Sequence, residues 1–196
     1  MNTTTDALNQ PLTLTADCAI KNRLFKSAMS EQLGNKNLEP TPELIHLYRT
    51  WAQGGTGLLV TGNIMIDRNA LGEPKNVVLD EQSNLEHFKA LATAGSEQDT
   101  QLWMQINHPG KQIPNFLSVE PVAPSAVALG RGLNKTFNTP RALSEDEIQE
   151  LIRKFAWSAK AAKDCGFGGV QIHAAHGYLV SQFLSPHHNR REDQWG

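Results

Sequence analysis

The densest group of chemically able side chains is His173-Ala174-Ala175-His176-Gly177-Tyr178. Two histidines in an H-x-x-H spacing can bind a metal ion, or can donate two hydrogen bonds to one ligand oxygen. The plain alternative is two polar residues that satisfy loop backbone, and the spacing alone leaves both open. No Cys, Asp or Glu lies close by to complete a metal set, which weakens the metal reading. His187-His188 sits in a polar tail and reads as solvated, while His46 and His87 read as exposed helix faces. No G-x-G-x-x-G follows an apolar run, and neither a phosphate-loop lysine motif nor a G-x-S-x-G elbow occurs. Lys21-Asn22-Arg23 alone reads as a surface turn.

These residues need elements to hold them. Residues 24–29 read as a first strand. Thr41-Pro42 opens a helix, with Thr41 as N-cap and Pro42 at the first helical position. Leu44, Ile45, Tyr48, Trp51 and Ala52 recur at helical spacing until Gly54-Gly55 ends the helix. The run Gly57-Leu58-Leu59-Val60-Thr61-Gly62 suits a strand buried on both faces, as in parallel sheets. The pattern then repeats. Leu85, Phe88, Leu91 and Ala92 mark a helix ending near Gly95, and residues 101–106 read as a third strand. Ser144 and Glu147 form a capping box ahead of the stripe Ile148, Leu151, Ile152, Phe155, Ala159 and Ala162. Cys165-Gly166 closes that helix, and residues 168–173 read as a fourth strand. Residues 108–143 hold five of the ten prolines and no sustained periodicity, so they read as a long functional loop between firm elements.

Strands that read as buried alternate with helices, which argues an α/β fold with parallel strands in one domain, residues 1–196, with residues 1–10 flexible. In such folds ligands bind at the C-terminal ends of the strands. Ser30, residues 61–63, residues 105–108 and residues 173–178 are therefore expected to converge on one face.

Composition removes other classes. The 196 residues carry a formal net charge of -2, with 39% hydrophobic and 19% charged residues, which is neither collagen-like, coiled-coil nor fully disordered. The near-neutral balance leaves no electrostatic footprint for nucleic acid or an anionic membrane. No apolar run approaches the ~20 residues of a membrane span. The polar start lacks a signal pattern, so a cytoplasmic location is expected. Two distant cysteines, Cys18 and Cys165, give neither a disulfide framework nor a four-cysteine metal site.

Several segments, taken in order, resemble the Old Yellow Enzyme family of FMN-dependent oxidoreductases. They are Lys21-Asn22-Arg23-Leu24 with Ser27-Ala28-Met29-Ser30, then residues 57–62, then Gln105-Ile106-Asn107-His108-Pro109-Gly110-Lys111. The most specific is the run from His173 to Leu179, continued by Gln182-Phe183-Leu184-Ser185-Pro186, Asn189, Arg191, Asp193, Trp195 and Gly196. The resemblance extends from about Pro11 onward. It implies a (β/α)8 barrel with FMN at the top. Only four strands are legible, in a chain shorter than the ~250 residues typical of the barrel. The expectation is therefore the N-terminal half of a TIM barrel, about four βα units: a truncated product, a fragment or a partial sequence. The family's FMN-phosphate site and a later flavin-contacting arginine belong to strands beyond these.

The resemblance also implies roles. Ser27, Ala28, Met29 and Ser30 would lie along the isoalloxazine ring, with the Ser30 hydroxyl donating to the flavin O4. Gly62 would sit near the ring, and Gln105 would bond the pyrimidine edge. His173 and His176 resemble the pair that grips the substrate's carbonyl oxygen, and Tyr178 resembles the proton donor. One departure is Gln32, where some members carry tyrosine. The implied activity is transfer of hydride from NADH or NADPH, through FMN, to the β-carbon of an activated alkene in a small-molecule substrate. A homo-oligomer stays open. So do two other readings, a metal-dependent barrel hydrolase using His173 and His176, and a non-catalytic barrel fragment. Half a barrel would leave two open sheet edges, so weak FMN binding and self-association are expected of these residues alone.

Overall fold

The computed structural model describes residues 7–16, 18–130 and 132–196. Residues 1–6 of the expected flexible start lie outside the described residues. The chain begins with an antiparallel hairpin, β1 (Leu12–Thr15) and β2 (Cys18–Ile20), and then enters β3 (Phe25–Lys26). Helix α1 (Pro42–Gln53) leads to β4 (Leu58–Val60), β5 (Ile64–Met65) and β6 (Val77–Val78). Helix α2 (Leu85–Gly95) leads to β7 (Gln101–Asn107). The long loop carries a short parallel pair, β8 (Val122–Ala123) and β9 (Arg141–Ala142). Helix α3 (Glu145–Asp164), β10 (Gly169–Ile172) and the short α4 (Leu179–Phe183) complete the order.

The helix starts follow their capping residues. Thr41 Oγ1 accepts from the Leu44 amide at 3.2 Å, and Asn84 Oδ1 from the Glu86 amide at 3.1 Å. Ser144 and Glu147 exchange both bonds of the capping box. Each such cap satisfies amides that have no partner inside the helix.

β3, β4, β7 and β10 lie side by side, all parallel, in chain order. Alternate residues of these strands point to opposite faces. Leu59, Leu102, Met104 and Ile106 share one core with Leu44 and Tyr48 of α1, Phe88 and Leu91 of α2, and Ile148 and Ala161 of α3. The other face carries Trp103, Gln105 and Gln171. There Gly169 is required by close approach, because a Cβ would come within 2.8 Å of the Trp103 ring. Among the described strands, β3 and β10 each lack a neighbour on one side, and Phe25 and Ile172 on them are 54% and 55% exposed.

The second strand is broken at the candidate site. Val60 pairs with Trp103 and Ile64 with Ile106, so residues 61–63 stand opposite two residues of β7, as in a bulge. Thr61 fills the gap, its Oγ1 accepting from the Gln105 amide at 2.9 Å. Past the bulge, β5 takes β6 as its outer neighbour instead of β3. This also explains why the expected strand over 24–29 shortens to Phe25–Lys26. Residues 27–31 leave the sheet and cross the bulge so closely that a Cβ on Gly62 would collide with the Met29 carbonyl oxygen. Tyr48 clamps the crossing: its hydroxyl accepts from the Gly62 amide at 3.0 Å and donates to Glu31 Oε1 at 2.6 Å. No helix among the described residues is long and apolar enough to cross a membrane.

Candidate functional site

The C-terminal end of β10 delivers His173, which is only 7% exposed. Its Nδ1 accepts from the Ala175 amide at 3.3 Å, which leaves the ring proton on Nε2. The chain then turns through His176 at φ +56° and Gly177 at φ +74°. A histidine in the left-handed region is strained and persists only where its surroundings fix it. They do so here. Gln112 Nε2 donates to the His176 carbonyl at 2.8 Å, and the fully buried Gln182 donates to the Gly177 carbonyl at 2.7 Å and the Pro109 carbonyl at 3.2 Å. The turn brings three rings together edge to face. His173 lies 5.0 Å from His176 and 4.9 Å from Tyr178, and His176 lies 6.3 Å from Tyr178.

The protonation of this cluster follows from its surroundings. Burial pushes the His173 imidazole down, and His176 pushes it further the same way. Burial pushes the Tyr178 phenol up, the Glu73 charge adds to that, and the Asn63 side chain opposes it. Near neutral pH His173 is therefore a neutral N–H donor, and Tyr178 keeps its proton.

The other expected residues lie at the neighbouring strand ends. Ser27, Met29 and Ser30 are exposed and Ala28 half-buried, in the segment that crosses the bulge. The Ser30 hydroxyl donates to the Glu73 carboxylate, so its single proton is committed there in this structure. Gln105 is buried, and its Nε2 donates to Gln171 Oε1 at 2.7 Å. Asn107, at the end of β7, is fully buried with both side-chain polar atoms unpartnered, as is Oδ1 of Asn63. Buried amides rarely go unpaired. These orphaned groups, beside Gln105 and the exposed apolar Met29, suit a planar heterocycle that offers both donors and acceptors. On that donor set the strand ends fit the ring of FMN. Among the described residues no group of three or more His, Cys, Asp or Glu side chains is placed to hold a metal ion. Glu73 was not legible in the sequence, because it reaches the site from the β5–β6 loop with no local motif. Asn63 was within reach as a polar residue just past a strand.

Known proteins share this fold. A family model described as the NADH:flavin oxidoreductase / NADH oxidase family matches residues 7–196. The NADH-dependent flavin oxidoreductase nadA of Aspergillus parasiticus is 38% identical over 203 residues, covering 96% of this chain and 46% of the relative. The NADH-dependent flavin oxidoreductase iliE of a Neonectria species is 37% identical over 204 residues, covering 95% of this chain and 27% of the relative. The solved structure of the Old Yellow Enzyme homologue from Zymomonas mobilis superposes with a TM-score of 0.87 at 30% identity, over 97% of this chain and 54% of that one. Morphinone reductase in complex with tetrahydroNAD superposes with a TM-score of 0.85 at 25% identity, over 97% and 55%. The chain spans at most about half the length of these relatives. The four consecutive parallel strands thus correspond to about half of an Old Yellow Enzyme barrel chain.

Proposed function

Because the chain belongs to the NADH:flavin oxidoreductase / NADH oxidase family, we propose that it carries the substrate-gripping and proton-donating part of an FMN-dependent ene-reductase. The substrate class is an activated alkene such as an enone, and NADH or NADPH is the hydride source. The observation that carries this reading is the edge-to-face cluster of His173, His176 and Tyr178 at the end of β10. Bound FMN would supply the two-electron chemistry. Residues 27–30, Gly62 and Gln105 are the groups that would hold its ring.

The residues of this chain then have distinct tasks. His173, with its proton fixed on Nε2, and His176 donate to the substrate's carbonyl oxygen. As hydride adds to the β-carbon, negative charge grows on that oxygen, and two preorganised donors stabilise it there. Tyr178 gives its phenolic proton to the α-carbon, which completes the saturated carbonyl product. A neutral His173 suits a donor that must not lose its own proton, and a phenol held above its ordinary range arrives at the reaction protonated. The names of the fungal relatives, both NADH-dependent flavin oxidoreductases, support a nicotinamide donor.

The test is made on flavin-loaded protein. NAD(P)H should bleach the flavin absorption anaerobically, and 2-cyclohexenone should restore it. Tyr178→Phe should slow the restoration by roughly 10²–10⁴-fold and leave the bleaching alone. A full-length protein containing these residues that takes up no FMN, or a variant that slows both phases equally, would refute the reading.

A further inference from the structure

Lys111 is only 1% exposed, and among the described residues no carboxylate pairs with it. Lysine is almost never fully buried unless it is paired, because an uncompensated buried charge is costly. Its Nζ instead meets the Val127 carbonyl at 2.6 Å and His188 Nδ1 at 2.8 Å. The charged group acting on Lys111 is Arg190, and those acting on His188 are Lys111, His187 and Arg190. All are cations or potential cations. Among the described residues the Arg190 guanidinium has no partner, although its backbone amide is fixed by Ser125 Oγ at 2.9 Å. Neighbouring Arg191 is the contrast, its guanidinium taken by Asp193 and by the Pro124 and Leu143 carbonyls. Among the described residues this cationic cluster has no acidic partner, in a chain whose net charge is -2.

We propose that Lys111, His188 and Arg190 form an anion site that takes a phosphate group beside the histidine pair. The ammonium of Lys111 donates to Nδ1 of His188, so the ring proton of neutral His188 sits on Nε2, the opposite edge. Among the described residues that N–H has no partner, and it is not sealed from solvent. With the Arg190 fork it supplies charge-assisted donors suited to phosphate oxygens. Lys111 sits behind His188 and gains the counter-charge that it otherwise lacks. The expectation of a merely solvated His187-His188 pair is thus half met: His187 is exposed, but its ring packs 4.7 Å from His188, which Lys111 has already engaged. The site adjoins the candidate active site, because Gln112, next to Lys111, holds the His176 carbonyl. A diphosphate of a nicotinamide dinucleotide is the phosphate with reason to lie there. That identification rests on the proposed function, whereas the anion site itself does not.

The experiment follows the histidine ring resonances of the isotopically labelled chain by NMR. Inorganic phosphate should shift those of His187 and His188 saturably, with a dissociation constant of about 1–10 mM. Arg190→Ala should weaken this roughly tenfold, and Lys111→Met should weaken it too, with His173 and His176 resonances reporting that each variant is folded. Arg190 is exposed, so that variant decides the matter even where Lys111→Met fails to fold. Shifts that never saturate, or an unchanged affinity in Arg190→Ala, would overturn the site. Read at His187 and His188, ADP-ribose should act at lower concentration than phosphate, and FMN, which would be held at the strand ends instead, should not. The reverse order would overturn the dinucleotide assignment while leaving both the anion site and the flavin reading standing.

Discussion

Removing the Tyr48 hydroxyl should loosen the crossing on which the proposed flavin-facing segment depends. Tyr48 is fully buried in the helix–sheet core and edge-on to Trp51 at 5.0 Å, so Phe at this position keeps the packing and loses one oxygen. That oxygen makes two bonds. One is donated to the Glu31 carboxylate at 2.6 Å, and bonds to charged groups contribute about 1.5–3 kcal/mol. The other is accepted from the buried Gly62 amide at 3.0 Å, and an orphaned buried N–H costs about 1–3 kcal/mol. The two share one atom and do not simply add, and Glu31 keeps Lys26 at 3.5 Å, so we expect a total near 3 kcal/mol. With a urea slope of about 2 kcal/mol/M, the midpoint should fall by roughly 1.5 M. Urea unfolding followed by circular dichroism measures this, and hydrogen exchange at the Gly62 amide gives the local readout. In a double-mutant cycle with Glu31→Gln the two changes should be strongly non-additive. A midpoint shift below about 0.5 M, with Gly62 exchange unchanged, would show that the clamp does not hold the bulge.

Other expectations follow from single groups. His108 is fully buried, and burial pushes its imidazole from 6.5 down to about 4. Its folded value lies below its unfolded one, so the unfolded chain binds the extra proton between those values and stability should fall as pH drops through that window. His108→Asn should flatten that part of the stability profile. Only two tyrosines are present, and Tyr48 is held far above its ordinary range by burial, so the first tyrosinate absorbance in an alkaline titration should belong to Tyr178. Tyr178→Phe should abolish that step, and Glu73→Gln should move it to lower pH. Gly62→Ala forces a Cβ into the Met29 carbonyl oxygen and should lower the melting temperature markedly, whereas Gly54→Ala, at φ -68° with its nearest contact at 3.3 Å, should be nearly neutral. The open edges at β3 and β10 should drive concentration-dependent self-association in light scattering, and Ile172→Lys should reduce it.

What the sequence determined by itself is mostly what local rules determine. Thr41-Pro42 and the Ser144/Glu147 box set two of the helix starts, because a cap is satisfied within three residues of itself. The runs at 57–62, 101–106 and 168–173 announced strands, because short apolar stretches between helices that end in glycine have few other places in an α/β fold. The H-x-x-H-x-Tyr segment was legible because its three rings are carried on one turn. Tertiary structure decided the rest. The bulge at residues 61–63 depends on register against β7, which is fixed by residues some forty positions away. The shortening of the first strand depends on Glu31 reaching Tyr48. Glu73 joins Ser30 and Tyr178 only because the β5–β6 loop folds back over the strand ends. No local spacing marks Lys111 as buried, and only the packing of residues 185–190 against the long loop buries it beside His188. Each of these is a contact between segments distant in the chain, where no local spacing carries the signal.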